Sequence, residues 1–568
     1  MPVLRSLLML VPVAGIALLT AAVHAEDVNL AAINRIRTEA FQRSRVMDYL
    51  HLIADRNGPR LTGSPGYQAA AETAVGAFKE AGVANAQLEP WGTFGRGWAW
   101  SRVAVQMTAP QQTTLAAFPA DYSPGTSGTV AGEVVFAPLW DKGEQARTDD
   151  LVKYAERIEQ WKSRYRGTLR GKVVMIDLPQ PFTQPGNHAP RFDDQALAKI
   201  DQTPYATPVL PGPFPKLTWP LITYPMDKDE RSRVWDVMPL EYAADRWTLQ
   251  MRVSARIGAF LRTEGAVARL LAGWATGAGV IMQSDYGSYE DDAPLPPPSV
   301  VVIPEQYGRI HRLVERAVPV RLEIAVDAQF YPKAQGINVI AELPGKAPGG
   351  EFVMLGAHLD SWHGATGATD NGAGSAVVME VMRILASLDR PLARGVRAAL
   401  WSGEEQCLCG SRAYVKQHFA DPVTMQLKPE HARLSAYFNL DNGAGRIRGV
   451  YLQGSDMARP IFETWFAPLA ELGVTRYTLA NTFGTDHLSF NAVGLPAFQF
   501  TQDPLDYDLN THHSNVDDVS HVPPGDLMQA AAVMATAVYH AATRGELMPR
   551  KPLPAPLPAR GELPAILR

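Results

Sequence analysis

The chain has 568 residues, of which 46% are hydrophobic, 20% charged and 9% aromatic, with 46 Gly and 45 Pro, a globular composition that excludes fibrous, disordered and membrane-embedded classes. Lys and Arg number 53 against 58 Asp and Glu, a formal charge of -5, and no basic stretch stands out for a phosphate backbone, so nucleic acid is not an expected partner. At ~150 residues per domain the length accommodates two to four domains, or one large domain carrying an insertion.

The first 25 residues carry Arg5, an apolar run over 7–19 and small residues ending Val23-His24-Ala25. This is the pattern of a cleaved signal peptide, and the run falls short of the ~20 apolar residues of a membrane span. The expectation is a secreted or periplasmic protein with no membrane association after cleavage. Only two cysteines occur, Cys407 and Cys409, so an exported chain of this size is not held by a disulfide framework. A bridge across one intervening residue is strained, and their pairing stays open.

Residues 34–84 show a helical period with turns at Asn57-Gly58-Pro59 and Gly63-Ser64-Pro65-Gly66, followed by strand-like stretches to Met107. We read 26–131 as the first part of a main domain, with the Pro- and Gly-containing stretch 119–132 as its boundary. From 132 to 332 the segments are short and β-rich, as at 132–136, 171–177 and 279–282, with proline-dense loops between them, and an inserted β-rich module is expected there. Over 333–548 the apolar runs 352–356, 396–401, 436–440 and 497–500 alternate with helix-length segments at 371–388 and 527–542. That alternation predicts an α/β sheet covered on both sides. The remainder, 549–568, is a tail with five prolines from Lys551 onward, expected to be extended.

Three of the four apolar runs lead within a few residues into side chains that bind metals or move protons: His358 and Asp360, Glu404 and Glu405, and Asp441. In open α/β sheets, ligands bind outside the carboxyl ends of the strands. Asp370 stands at the start of the 371–388 helix, and His513 follows His512 in H-H-S-N-V-D. Two imidazoles and three carboxylates, without a thiolate, suit a pair of zinc ions better than a structural zinc site. Two metals about 3.5–4 Å apart call for a shared carboxylate. The chain has no H-E-x-x-H, no G-x-S-x-G and no P-loop, and Gly372-Ala373-Gly374-Ser375 lacks the third glycine of a dinucleotide fingerprint.

The ordered set G-A-H-L-D, T-D-N-G-A-G-S, W-S-G-E-E, N-L-D, T-D-H and H-H-S-N-V-D between residues 356 and 517 resembles the co-catalytic dizinc exopeptidases of metallopeptidase family twenty-eight. The resemblance covers about 330–545, and Gly58 to Ser64 fits the family's N-terminal segment more loosely. It implies a three-layer α/β sandwich with a mostly parallel mixed sheet, of the zinc-exopeptidase, phosphorylase/hydrolase-like type. It also identifies the insert with the protease-associated domain of many members, whose expected role is to cover the site and limit substrates to short peptides. Two Zn2+ ions are implied, with His358 and Glu405 as terminal ligands of different zincs, Asp441 and His513 completing the two sites, and Asp370 bridging. Glu404 would be the general base, Asp360 would fix the His358 imidazole, and His512 would donate to the tetrahedral oxyanion. A cis peptide after the bridging Asp370 is expected by the same resemblance.

For the substrate, Asp486 in T-D-H, with His487 beside it, is expected to meet an ammonium group. Residues 495–508 contain no arginine of the kind that clamps a substrate carboxylate in the glutamate carboxypeptidase branch. An aminopeptidase or dipeptidase acting on short peptides is therefore the leading expectation. The alternative is a carboxypeptidase Q-like enzyme, because Gln502-Asp503, Asp506-Tyr507 and His512-His513 look closest to that branch. A non-catalytic binding protein on the same fold is disfavoured because such relatives lose metal ligands, and a glutaminyl cyclase is disfavoured by the insert.

Overall fold

The structure is a computed structural model, and it describes residues 26–144, 147–179, 191–202, 217–225, 227, 230, 231, 234, 235, 238–273, 278–282, 286–347, 349–388 and 391–568. The signal-peptide reading falls on 1–25, outside the described residues. Among the described residues no helix is long and apolar enough to cross a membrane.

Its strands are β1 (Asn85–Ala109), β2 (Thr113–Leu115), β3 (Ala117–Pro119), β4 (Val130–Phe136), β5 (Lys172–Met175), β6 (Ala268–Ala272), β7 (Ser299–Val302), β8 (Arg321–Leu343), β9 (Phe352–His358), β10 (Gly395–Trp401), β11 (Leu434–Asn439), β12 (Ile447–Tyr451), β13 (Arg476–Thr478) and β14 (Ala497–Gln502). They form one sheet in the order β13-β12-β14-β11-β9-β10-β8-β4-β5-β6-β7-β3, with β1 paired to β8 and β2. The four apolar runs read from the sequence are β9, β10, β11 and β14, and they are mutually parallel. Every residue of β9 and β11 is buried. A parallel strand covered on both faces has no polar side, which is why these segments read as unbroken apolar runs.

Helices make the two outer layers. Ala373–Ala386, Pro524–Thr543 and Leu30–Gln42 pack on one face, where Val377, Val381, Ile384, Val533 and Ile36 share one core with Val353 and Leu355 of β9. Cys409–His418 and His487–Asn491 cover the other face through Tyr414, Val415 and Phe490, against Met354 and Tyr437. The mostly parallel three-layer α/β arrangement expected from the sequence is present. Ala373–Ala386 is the crossover that joins β9 to its parallel neighbour β10, as parallel pairing requires.

The long strands β1 and β8 pair antiparallel from Asn85–Glu342 to Ala109–Arg321. One end of β8 pairs with β4 and the other with β10, so a single strand joins two halves of the sheet. Because β8 runs unbroken through residue 332, the sheet does not divide at the boundary expected there. Between β1 and β8 lie the parallel strands β4, β5, β6 and β7. They are covered by the helices Leu151–Tyr165, Leu240–Glu264 and Pro304–Glu315, more helix than the expected β-rich module. The 25-residue helix Leu240–Glu264 escaped the sequence reading because its buried face includes Arg246. That guanidinium is fully buried, stacks over Tyr224 at 4.6 Å and donates to the carbonyls of Thr148 (2.8 Å), Asp149 (3.0 Å) and Ile222.

Another buried arginine shapes the loop under the sheet's carboxyl edge. Arg60 donates through Nε to the Leu359 carbonyl (2.6 Å), through Nη1 to that of Thr366 (2.6 Å) and through Nη2 to that of Gly367 (2.8 Å). These bonds fix the segment that leads from the end of β9 to Asp370. Removing the side chain leaves three carbonyls without their donor, at ~1–3 kcal/mol for each buried group. Arg60→Ala is therefore expected to lower the unfolding free energy by at least ~3 kcal/mol in chemical denaturation, and Arg60→Lys to recover little, since one ammonium does not span a planar fork. A loss below ~1 kcal/mol would mean that other contacts hold the loop.

Candidate active site

The three central strands deliver their ends to one place because they are neighbours in register. Trp401 of β10 pairs with His358 of β9, and Asn439 of β11 pairs with Gly356. His358 is the last residue of β9, Asp441 lies just past the end of β11, and Glu404 and Glu405 open the short helix after β10. Gly403 makes that turn possible in the left-handed region at φ 67°. Asp370 reaches the same edge at the foot of Ala373–Ala386. Gly374 allows this approach: a Cβ there would lie 2.4 Å from the Leu440 carbonyl oxygen and 2.3 Å from Asn371 Oδ1. Asn371 donates to that same carbonyl at 3.0 Å and accepts from Gly374 N–H at 2.9 Å. The Asp370–Asn371 peptide is cis. His512 and His513 arrive on the loop after β14.

The Asp370 carboxylate lies between two pairs of donors. Its Oδ1 is 3.2 Å from His358 Nε2, which is itself 3.5 Å from Asp441 Oδ1. Its Oδ2 is 3.3 Å from His513 Nε2, which is 3.0 Å from Glu405 Oε2. Glu404 Oε2 stands 3.9 Å from His358 Nε2. Three overlapping groups have ligand atoms mutually within 4.8 Å, a spacing that suits metal ions: His358, Asp370 and Glu405; His358, Glu404 and Asp441; and Asp370, His512 and His513. Asp370 Oδ2 and Glu405 Oε1 are buried and accept no hydrogen bond among the described residues.

Burial, opposed by His358 and reinforced by Asp441, Asp486 and Glu405, holds the Glu404 carboxyl well above its usual range. Burial and the negative Asp370 do the same to Glu405. Burial also works against ionisation of Asp370, yet the imidazoles of His358 and His513 hold its carboxyl below the usual range. A buried cluster with more carboxylates than imidazoles, and with unpaired oxygens, is a donor set short of positive charge.

A ring of hydrogen bonds positions these groups. Asp360, expected to fix His358 through its carboxylate, uses its backbone carbonyl for the closer contact, 3.0 Å from Nδ1 against 3.6 Å for Oδ1. Its carboxylate accepts from Thr62 Oγ1 at 3.0 Å and from the amides of Glu404 and Glu405 at 3.4 Å each. Asp517 accepts from the amides of Thr369 (2.6 Å) and Asp370 (3.1 Å), and burial beside Asp370 pushes its carboxyl up to about 7. Tyr507 is buried against Asp370. Thr62, Tyr507 and Asp517 each stood in quoted motifs, but nothing in the sequence assigned them these contacts.

His512 is partly exposed, its ring 3.8 Å from that of His513 and its Nε2 3.9 Å from Asp370 Oδ2. Burial lowers its pKa to about 4, so it is neutral and keeps one N–H to donate. Asp486 and His487 are placed otherwise than expected. Both are fully buried, His487 bonds the Thr482 carbonyl at 3.2 Å, and neither lines the cavity over the cluster. Asp486 is the N-cap and His487 the first residue of the short helix His487–Asn491, and both side chains are turned into the protein interior. Cys407 and Cys409 are joined as a disulfide, and Cys407 lines the cavity.

That cavity has a volume of about 250 Å3. Asp370, Glu404, Glu405, Asp441, His512 and His513 make its floor, while Trp247, Gln250, Met251 and Ser254 of the helix Leu240–Glu264 face them from above.

Residues 338–538 match the profile of Peptidase family M28. Carboxypeptidase Q of Mus musculus is 28% identical over 309 residues, 54% of this chain and 63% of that protein. Aminopeptidase YwaD of Bacillus subtilis is 27% identical over 197 residues, 34% of this chain and 41% of that protein. The chain thus spans less than two thirds of the length of these curated relatives. Among solved structures, a Peptidase M28 precursor from Shewanella amazonensis superposes with a TM-score of 0.62 at 22% identity, covering 92% of this chain and 98% of the other. BSAP, a zinc aminopeptidase from Bacillus subtilis, gives 0.51 at 16% identity, covering 88% and 95%. Both share the fold. The motif order, the strand-end cluster and the match agree over one region: residues 338–538 of the chain are similar to Peptidase family M28.

Proposed function

We propose that the protein is an exported, zinc-dependent exopeptidase that hydrolyses the terminal peptide bond of short peptides, most simply an aminopeptidase or dipeptidase. The observation that carries this reading is the Asp370 carboxylate, whose two oxygens face two separate donor pairs, His358 with Asp441 and His513 with Glu405. Nitrogen and carboxylate donors without thiolate are the set that catalytic zinc sites use, and the buried, unbonded oxygens of Asp370 and Glu405 fit that assignment. His358, Asp370, Glu405, Asp441 and His513 would hold two Zn2+ ions, which supply the Lewis acidity that acidifies water and polarises a carbonyl.

The chain's own groups then do the proton work. Glu404 lines the cavity, its Oε2 3.9 Å from His358 Nε2 and farther from that imidazole than Asp370 or Asp441, and as general base its carboxylate would take a proton from the attacking water and hand it to the leaving amine. Asp360 holds the backbone amides of Glu404 and Glu405 and thereby orients both side chains. Neutral His512 is on the open side of Asp370, where its N–H suits a developing oxyanion. The cavity lining contains no Lys or Arg among the described residues, so it offers no side-chain cation to clamp a free substrate carboxylate. A carboxypeptidase Q-like specificity is the second reading, favoured by the match to that relative. Aminoacyl-nitroanilides, N-blocked dipeptides and free dipeptides separate the two: cleavage of the blocked peptides alone selects the second.

Two outcomes test the assignment of roles. Glu404→Gln is expected to keep its metal and lose at least ~100-fold in turnover, the cost of a missing general base. Metal analysis and kcat on the same preparation check this, and unchanged turnover would remove Glu404 from the role. Asp517→Ala is expected to weaken zinc retention by about 10- to 100-fold, measured by chelator competition, because the amides behind Asp370 lose their acceptor. Unaltered retention would show that Asp517 does not position Asp370.

A further inference from the structure

We infer that the helix Leu240–Glu264, which lies outside the family-matched residues 338–538, supplies the specificity-determining wall of the site. On this inference Trp247 and Met251 receive an apolar side chain from the terminal residue of a short peptide, while Gln250 meets its backbone. This deepens the exopeptidase reading and rests on it.

The placement follows from helical spacing. Trp247, Gln250, Met251 and Ser254 stand at i, i+3, i+4 and i+7, one stripe of the helix, and all four line the cavity opposite the carboxylates. The helix is committed elsewhere as well: Leu249, Val253 and Phe260 on another side, and Ile257 and Leu261 beyond the stripe, share a core with Leu151, Ile158 and Trp161 of the neighbouring helix. The stripe therefore cannot rotate away without opening that core.

The wall is also fixed to the floor. Glu241, at the start of the helix, accepts from Arg412 Nη2 at 2.6 Å. Trp235 and Trp247 pack on Phe483, with centroids 4.3 and 6.3 Å away, and Phe483 precedes Gly484 of the cavity lining. Asn515, two residues after His513, exchanges hydrogen bonds with Ile281, donating at 3.0 Å and accepting through its side chain at 2.5 Å, and Ser514 bridges to Met282. The segment between β1 and β8 thus grips the loop that carries His512 and His513 and holds the helix above the cluster.

The chemistry of the two surfaces defines what fits between them. A floor of metal-binding donors and a roof with an indole, a thioether and an amide line a cavity of about 250 Å3, below the ~300–1,000 Å3 of drug-sized ligand sites. A terminal residue with an apolar side chain matches the indole and thioether of the roof while its peptide bond lies over the donors of the floor.

The test uses the zinc-loaded full chain and a series of Ala-, Leu- and Phe-nitroanilides with Trp247→Ala, Met251→Ala and Gln250→Ala. Losing an apolar contact in such a pocket is expected to cost roughly 10-fold or more in kcat/KM for Leu and Phe substrates, chiefly through KM, with the Ala substrate changed less than about 3-fold. Zinc content and melting temperature are expected to stay at wild-type values for Met251→Ala and Gln250→Ala, which keep the test valid if Trp247→Ala unfolds the roof. Gln250→Ala should weaken all three substrates alike. If the wild type turns over but Met251→Ala leaves the Leu and Phe values unchanged, or lowers all three equally, the inference is overturned alone. If the wild type turns over no substrate of the series, the aminopeptidase reading falls and the inference with it, whereas cleavage of N-blocked dipeptides by the same preparation would keep the exopeptidase reading.

Discussion

The structure depends on holding Asp370, Glu404, Glu405 and Asp441 together in one buried cleft with two or three imidazoles. Two like charges 4 Å apart repel by ~4 kcal/mol even at an effective dielectric constant of 20, and several such pairs share this space. A fold tolerates that only if protons or cations enter with the carboxylates. The directions of the pKa shifts express the demand: Glu404 and Glu405 are pushed toward their neutral forms and His358 toward its charged one. Two divalent ions meet the same demand without neutralising the groups that the chemistry needs.

The support around the cluster follows from that constraint. Asp360 and Asp517 accept from hydroxyl and amide N–H or O–H donors of Thr62, Thr369, Asp370, Glu404 and Glu405. Arg60, though close, gives its donors to three backbone carbonyls. Neutral dipoles thus fix positions, and the site's excess negative charge is left for ions. Placing the donors on the ends of β9, β10 and β11 adds rigidity, since strand-borne groups are held more tightly than loop-borne ones. The His512–His513 pair arrives on a loop well past the end of β14, and that loop is clasped by Ile281 and Met282.

The parallel core was legible because β9 and β11 are buried on both faces and contain no polar alternation. His358, Glu404, Glu405 and Asp441 were legible because each follows such a run within a few positions, and the resemblance ordered them with Asp370 and His513. Asp486 and His487 misled for a physical reason: a short motif shows that a carboxylate and an imidazole are adjacent, not that the start of a five-residue helix turns both into the interior. Asp517 and Thr62 stayed hidden because their work is hydrogen bonding to backbone amides across more than a hundred residues of sequence. The roof helix was obscured by Arg246, a charged residue on a buried face whose partners are carbonyls 24 to 98 positions away. Local pattern does not encode such partners.

On the proposed reading Asp370 separates two metal positions. Crystals of the protein purified with zinc, measured with X-rays just above and below the zinc absorption edge, test it most directly. The account predicts two anomalous peaks per chain about 3.5–4 Å apart, one beside His358 and Asp441 and the other beside His513 and Glu405. A single peak, or none within reach of Asp370 in a zinc-replete crystal, would contradict it.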